Sequence, residues 1–145
     1  MPFIKVYIHF VWCTKNRTPF LDKPELRKLM WFHIKENAIN KQIIIDCING
    51  YDNHCHCLVS LKHNQTIQDI MQFIKGESSH WFNQQAFIVD TFYWQNDYYA
   101  VSVAKSEIIR VRNYIKNQES HHCKVEFQSE LDEFIKKNGF EKFSD

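Results

Sequence analysis

Glycine and proline are scarce, three of each in 145 residues. That excludes a collagen-like, low-complexity or linker-dominated chain. No apolar stretch approaches the roughly 18 residues of a membrane-spanning helix. The opening Met1-Pro2-Phe3-Ile4-Lys5 lacks the layout of an export signal, so a cytoplasmic protein with no membrane partner is expected. An excess of either charge is also missing. A formal net charge of +1 argues against broad electrostatic coating of duplex DNA, though not against a local basic strip over a single strand. Cysteine is present but odd in number (Cys13, Cys47, Cys55, Cys57, Cys123). Without an export signal, reduced thiols packed as small apolar groups are expected rather than a disulfide frame.

What is present is ordinary globular material, 44% apolar and 24% charged. One domain over residues 1–145 is expected. Lys5 to Cys13 is rich in β-branched and aromatic residues and reads as a strand. Pro24 opens a helix to about Lys41. Gln42–Gly50 and His54–Leu61 read as two strands of a hairpin. Thr66 is a candidate N-cap for a helix from Ile67 to about Gln84, which Gly76 interrupts. Phe87–Trp94 resists assignment. Tyr98–Val103 reads as a strand, followed by a helix from near Ser106 to Ser120 and a last helix over Ser129–Lys137, ended by Gly139. This order predicts an α+β, ferredoxin-like or RRM-like split βαβ fold: an antiparallel sheet with two helices on one face, plus C-terminal helices.

Two constellations stand out. On a strand, His54 and His56 point to the same side, while Cys55 and Cys57 point to the other. That alternation argues against a zinc site made of all four. Taken alone, such a histidine pair most often sits on the wetter face of a half-buried strand. On the late helix, Gln118 lies one turn from Tyr114. At about 100° per residue, Ala104, Ile108, Val111 and Ile115 form a core stripe. Lys105, Arg112 and Lys116 form a basic strip, and Tyr114, Gln118, Glu107 and His121 share a third side. Two neutral imidazoles and an amide oxygen can hold a divalent cation, and a tyrosine beside it is a candidate nucleophile for phosphate. The aromatic residues, 15% of the chain, are mostly core, with Trp12 and Trp94 as candidates for stacking on bases.

Longer runs sharpen this. Val11-Trp12-Cys13-Thr14-Lys15-Asn16-Arg17, Asn53-His54-Cys55-His56-Cys57-Leu58-Val59 and Lys75-Gly76-Glu77-Ser78-Ser79 occur in order. Trp94-Gln95 with Tyr98, Ser102-Val103, Tyr114-Ile115-Lys116-Asn117-Gln118 and His121-His122 follow. Together they resemble the small single-tyrosine insertion-sequence transposases of the His-hydrophobe-His endonuclease superfamily, including their REP-associated relatives. Cys55 and Cys57 stand where the family usually has valine or leucine, and Asp97 replaces a common glycine.

The resemblance implies a metal-dependent transposase acting on single-stranded DNA, often beside a hairpin. It implies His54, His56 and Gln118 as ligands of Mg²⁺ or Mn²⁺, and Tyr114 as the nucleophile. It further implies a 5′-phosphotyrosine intermediate, strand transfer by transesterification, and a homodimer. Lys15, Arg17, Lys105, Arg112 and Lys116 are candidate phosphate contacts. The alternatives are a domesticated REP-associated endonuclease, a replication initiator or relaxase, and a non-catalytic RRM-like nucleic-acid-binding module. The last lacks support from an RNA-recognition motif in this chain.

Overall fold

The computed structural model describes residues 1–122 and 126–140. Its frame is one antiparallel sheet of β1 (Val6–Thr14), β2 (Ile44–Gly50), β3 (His54–Leu61) and β4 (Trp94–Val103), in the order β2-β3-β1-β4. α1 (Pro24–Ala38) joins β1 to β2 and α2 (Ile67–Gln84) joins β3 to β4, which makes the split βαβ arrangement. α3 (Ile108–Lys116), α4 (Gln118–His122) and α5 (Phe127–Asn138) follow. No described helix is long and apolar enough to cross a membrane.

Strand alternation divides the molecule into two layers. Ile8, Phe10 and Trp12 of β1 and Cys55, Cys57 and Val59 of β3 face α1 and α2. There they pack with Met30, Ile34, Ile70, Met71, Ile74 and Phe82 in the main core. The opposite face of β1 and β3 carries His9, Val11, His54, His56 and Leu58. Leu58 packs with Cys47, Ile108 and Ile115, so α3 lies on this face. Val11 packs with Phe127 and Leu131, which brings α5 there as well. The C-terminal helices therefore cover the face expected to be wet, and both histidines of β3 are fully buried. Cys47, Cys55 and Cys57 are buried free thiols and Cys13 is half-buried; Cys123 lies outside the described residues.

Local chemistry fixes most boundaries. Pro24 sits in the first turn of α1, and the Thr66 hydroxyl accepts from the Asp69 backbone N–H at 3.1 Å to cap α2. Gly139 ends α5 in the left-handed region at φ 58°. The unassigned segment before β4 is a loop that drives Phe92 into the core. Asn83 pins it there, bonding both the N–H and the carbonyl of Phe92. β4 starts at Trp94, four residues earlier than expected. Trp12 and Trp94 meet edge to face at 5.9 Å inside the core, and the Trp94 indole N–H donates to the Ser78 hydroxyl at 2.9 Å. Neither ring is open to a base, which corrects that expectation.

Two glycines make opposite predictions. A Cβ on Gly50 would lie 2.1 Å from the His54 carbonyl oxygen and 2.8 Å from Trp31, so the hairpin leading to His54 closes only over a hydrogen. A Cβ on Gly76 meets nothing within 4 Å. Denaturant titration is expected to show Gly50→Ala destabilised by about 3 kcal/mol. Gly76→Ala, inside a helix with open space, is expected to be stabilised by about 0.5–1 kcal/mol.

Candidate metal and nucleophile site

The site forms where β3 passes beneath the C-terminal helices. His54 Nδ1 lies 3.0 Å from the Asn53 side-chain oxygen, and His54 Nε2 lies 3.0 Å from Gln118 Oε1. His56 Nδ1 is 3.0 Å from His9 Nε2, and His56 Nε2 is 2.6 Å from Glu130 Oε1. His122 Nε2 approaches both Gln118 Oε1 at 3.0 Å and Glu130 Oε2 at 2.7 Å, and His121 Nε2 reaches Glu130 Oε2 at 2.9 Å. The Tyr114 ring meets His56 edge-on, centroids 5.4 Å apart, and lies 5.7 Å from His121. The phenol, both β3 histidines and Gln118 thus converge within one chain.

These positions are held from outside. A register shift in the β2–β3 pairing between Ile45 and Cys47 makes Asp46 the extra residue of a bulge. Asp46 there accepts two 2.7 Å bonds from Arg112 of α3. Asn49 donates to the Lys116 carbonyl at the end of α3. Arg27 of α1, a buried guanidinium, makes two 2.7 Å bonds to Glu119 of α4 and two more to the Leu21 and Asp22 carbonyls. The expected single helix breaks at Asn117, so Tyr114 rides on α3 and Gln118 on α4.

Electrostatics follow from burial. Desolvation, then the neighbouring His56, push the His9 pKa down to about 3, and desolvation also holds His54 well below 6.5. Burial alone would raise Glu130, but bonds from His122 and His56 overcome it and keep the carboxylate ionised. Burial, then the charge of Glu130, raise the Tyr114 phenol above its ordinary 10. The thiols of Cys55 and Cys57 are also raised by burial, on the far side of the sheet.

The donors suit a cation. A neutral imidazole has one N–H. If His54 donates Nδ1–H to Asn53, its Nε2 lone pair faces the Gln118 oxygen, a pairing that a cation between them would make favourable. His54, His122 and Glu130 present ligand atoms all within 4.8 Å of one another. His56 and Gln118 adjoin this group. Glu130, His122 and His9 were not expected in this cluster, whereas His121 was expected on the side of Tyr114 and Gln118. His121-His122 was visible as a motif, and His9 occupies the non-core phase of β1. Nothing in the spacing of α5 marks Glu130.

Among the expected phosphate contacts, Arg112 pairs with Asp46 at 2.7 Å while its side chain stays partly exposed. Lys15 lies over Tyr93 at 5.3 Å and Arg17 over Phe127 at 5.7 Å. Lys105 and Lys116 are exposed at the two ends of the α3 region.

With the geometry in place, comparison decides the family. The model of the family "Transposase IS200 like" matches residues 3–118. This chain belongs to that family. A provisional transposase from Deinococcus radiodurans R1 shares the fold at TM-score 0.66 and 19% identity, covering 81% of this chain and 93% of its own. A REP-associated tyrosine transposase, solved bound to a REP hairpin, matches at TM-score 0.59 and 17% identity, over 86% of this chain and 73% of its own. No curated protein matches. The family makes this a DNA-processing enzyme.

Acid should dismantle this transposase at the site. The unfolded chain takes up protons on His9 and His54 near pH 6.5, whereas the folded chain does not until far lower. The unfolded state then binds more protons, so stability falls as pH drops below about 6.5. In EDTA, the thermal midpoint is expected to be level above about pH 7 and to decline from there rather than only from the carboxylate range near about 4.5. His9→Gln should flatten the decline between those values.

Proposed function

We propose that this transposase cuts single-stranded DNA with Tyr114 and a divalent metal. The observation that carries this reading is the convergence of Tyr114 with His54, His56 and Gln118 on one buried point. The Tyr114 phenolic oxygen attacks the scissile phosphorus in line. A phosphotyrosine ester forms, the bond to the 3′ oxygen breaks, and that oxygen leaves as a hydroxyl after taking a proton. The 5′-phosphate stays on the protein. One phosphodiester replaces another, so no ATP is needed, and attack by a different 3′-hydroxyl completes strand transfer.

His54, His56 and Gln118 hold the metal, with His122 and Glu130 adjoining. The bound ion, Mg²⁺ or Mn²⁺, supplies charge neutralisation at the phosphate oxygens; imidazole donors favour Mn²⁺ of the two. Tyr114 faces the negative charge of Glu130 and is held protonated, so the resting protein stores the phenol rather than the phenolate. Lys15, Arg17, Lys105 and Lys116 contact the DNA backbone. The hairpin carried by the REP-associated neighbour supports a substrate with a folded flank. One nucleophilic tyrosine per chain suits a homodimer that makes two cuts.

End-labelled single strands from the flanking genome, incubated with Mn²⁺ or Mg²⁺, are expected to give an SDS-resistant protein–DNA adduct. Tyr114→Phe should remove it entirely. His56→Ala should reduce it at least about 100-fold, the scale of a lost preorganised electrostatic contact in an active site. EDTA should abolish it. An adduct that survives Tyr114→Phe overturns the nucleophile, and metal-independent binding with no adduct under any condition favours a binding module.

A further inference from the structure

Beside the site lies a second built feature, at the irregular join of β1 and β4. Trp12 pairs with Tyr98 and Thr14 with Trp94, so two steps along β1 face four along β4. The two extra residues bow the segment 95–97 outward, the way bulges re-aim side chains next to functional sites. Lys75 fixes the bow by donating to the Asn96 carbonyl at 2.8 Å. Gln95 and Asp97 thereby line an open cleft of about 420 Å³, together with Asn16, Arg17, Tyr99 and Phe127. Asn16 and Arg17 are both non-glycine residues in the left-handed region, at φ 57° and 55°. Such strain persists only where surroundings impose it. Here Gln95 Oε1 accepts from the Asn16 backbone N–H at 3.1 Å, and Asn53 Nδ2 donates to the Arg17 carbonyl at 3.5 Å.

The cleft is joined to the chemistry. Asn53, which holds this loop, also orients His54. Phe127 lines the cleft and lies flat on the His54 ring, centroids 3.9 Å apart and planes at 10°. A single ring, Phe127, separates the His54 imidazole from the cleft, so the cleft adjoins the site where the scissile phosphate would sit.

We infer that this cleft binds a single nucleobase flanking the scissile phosphate, and that guanine is the base it selects. The volume admits one base, and Tyr99 offers a ring for stacking. With its oxygen engaged by Asn16, Gln95 has its NH₂ as donor; Asp97 is a pure acceptor, and Arg17 a cationic donor. Guanine alone presents two adjacent edge donors, N1–H and N2–H₂, for a carboxylate, next to the O6 acceptor for an amide or guanidinium. Thymine, with one edge donor flanked by acceptors, is the poorest match.

The inference rests on the single-strand reading above, and its test does not use cleavage. A randomised single-stranded DNA pool is bound by the full chain in EDTA, and the retained strands are sequenced. Wild type is expected to show one position enriched in guanine at least about fivefold, the lower end for a good base-edge pair. Asp97→Asn and Gln95→Leu should each reduce that enrichment to under twofold at that position. Asp97 is exposed, so its substitution leaves the fold in place, and far-UV circular dichroism checks both variants. Enrichment unchanged in both variants, or enrichment of thymine, overturns the inference. Failure of the catalytic reading has a different signature: base selection stays intact while no adduct forms with metal and Tyr114 present.

Discussion

One carboxylate ties the C-terminal half of this transposase to its sheet. Glu130 reaches from α5 into a nest of imidazoles, where His56, His121 and His122 all lie within 2.9 Å of its oxygens. A buried anion is tolerated only with such partners. Beside them, His9 and His54 are held below their ordinary pKa by burial. Docking of α5, the ionisation of Tyr114 and the readiness of His54 for a cation are therefore parts of one electrostatic balance, and a change in any of them is felt by the others.

The second constraint is positional. Tyr114 and Gln118 come from a short helical pair with little buried surface of its own, Ile108 and Ile115 being the buried apolar residues of α3. Their placement depends on two bidentate arginine pairs, Arg112 with Asp46 and Arg27 with Glu119, which reach across 66 and 92 residues of sequence. Planar guanidinium groups fix orientation as well as distance. The site is thus aligned by contacts that lie outside it.

Much of this was legible in the residues. Period-two alternation separated His54 and His56 from Cys55 and Cys57, the bounds of β3 and α2 followed from turn residues and the Thr66 cap, and the family runs located Tyr114 and Gln118. The rest failed for identifiable reasons. The bulge at 95–97 hides alternation, so β4 was read as starting at Tyr98. Amphipathic spacing says that α5 buries a face but not which sheet face receives it, so the imidazoles were expected to be wetter than they are. Glu130 in Ser129-Glu130-Leu131-Asp132-Glu133 looks like any solvated acid, and its role depends on a fold-level encounter. The pairing of Arg112 with Asp46 was hidden because the two are distant in sequence. Trp12 and Trp94 were offered as surfaces because ring chemistry does not distinguish a core pair from an exposed one.

The strand that carries the imidazoles also carries Cys55 and Cys57, pointing the opposite way. The pleated backbone between them is a partition that sorts hard and borderline donors from soft ones, one to each side. A cation held by the imidazoles of β3 is thereby separated from the thiols of Cys55 and Cys57 by the sheet itself. Passing it to those two sulfurs would require the strand to leave its ladder, so the partition lasts as long as the sheet does.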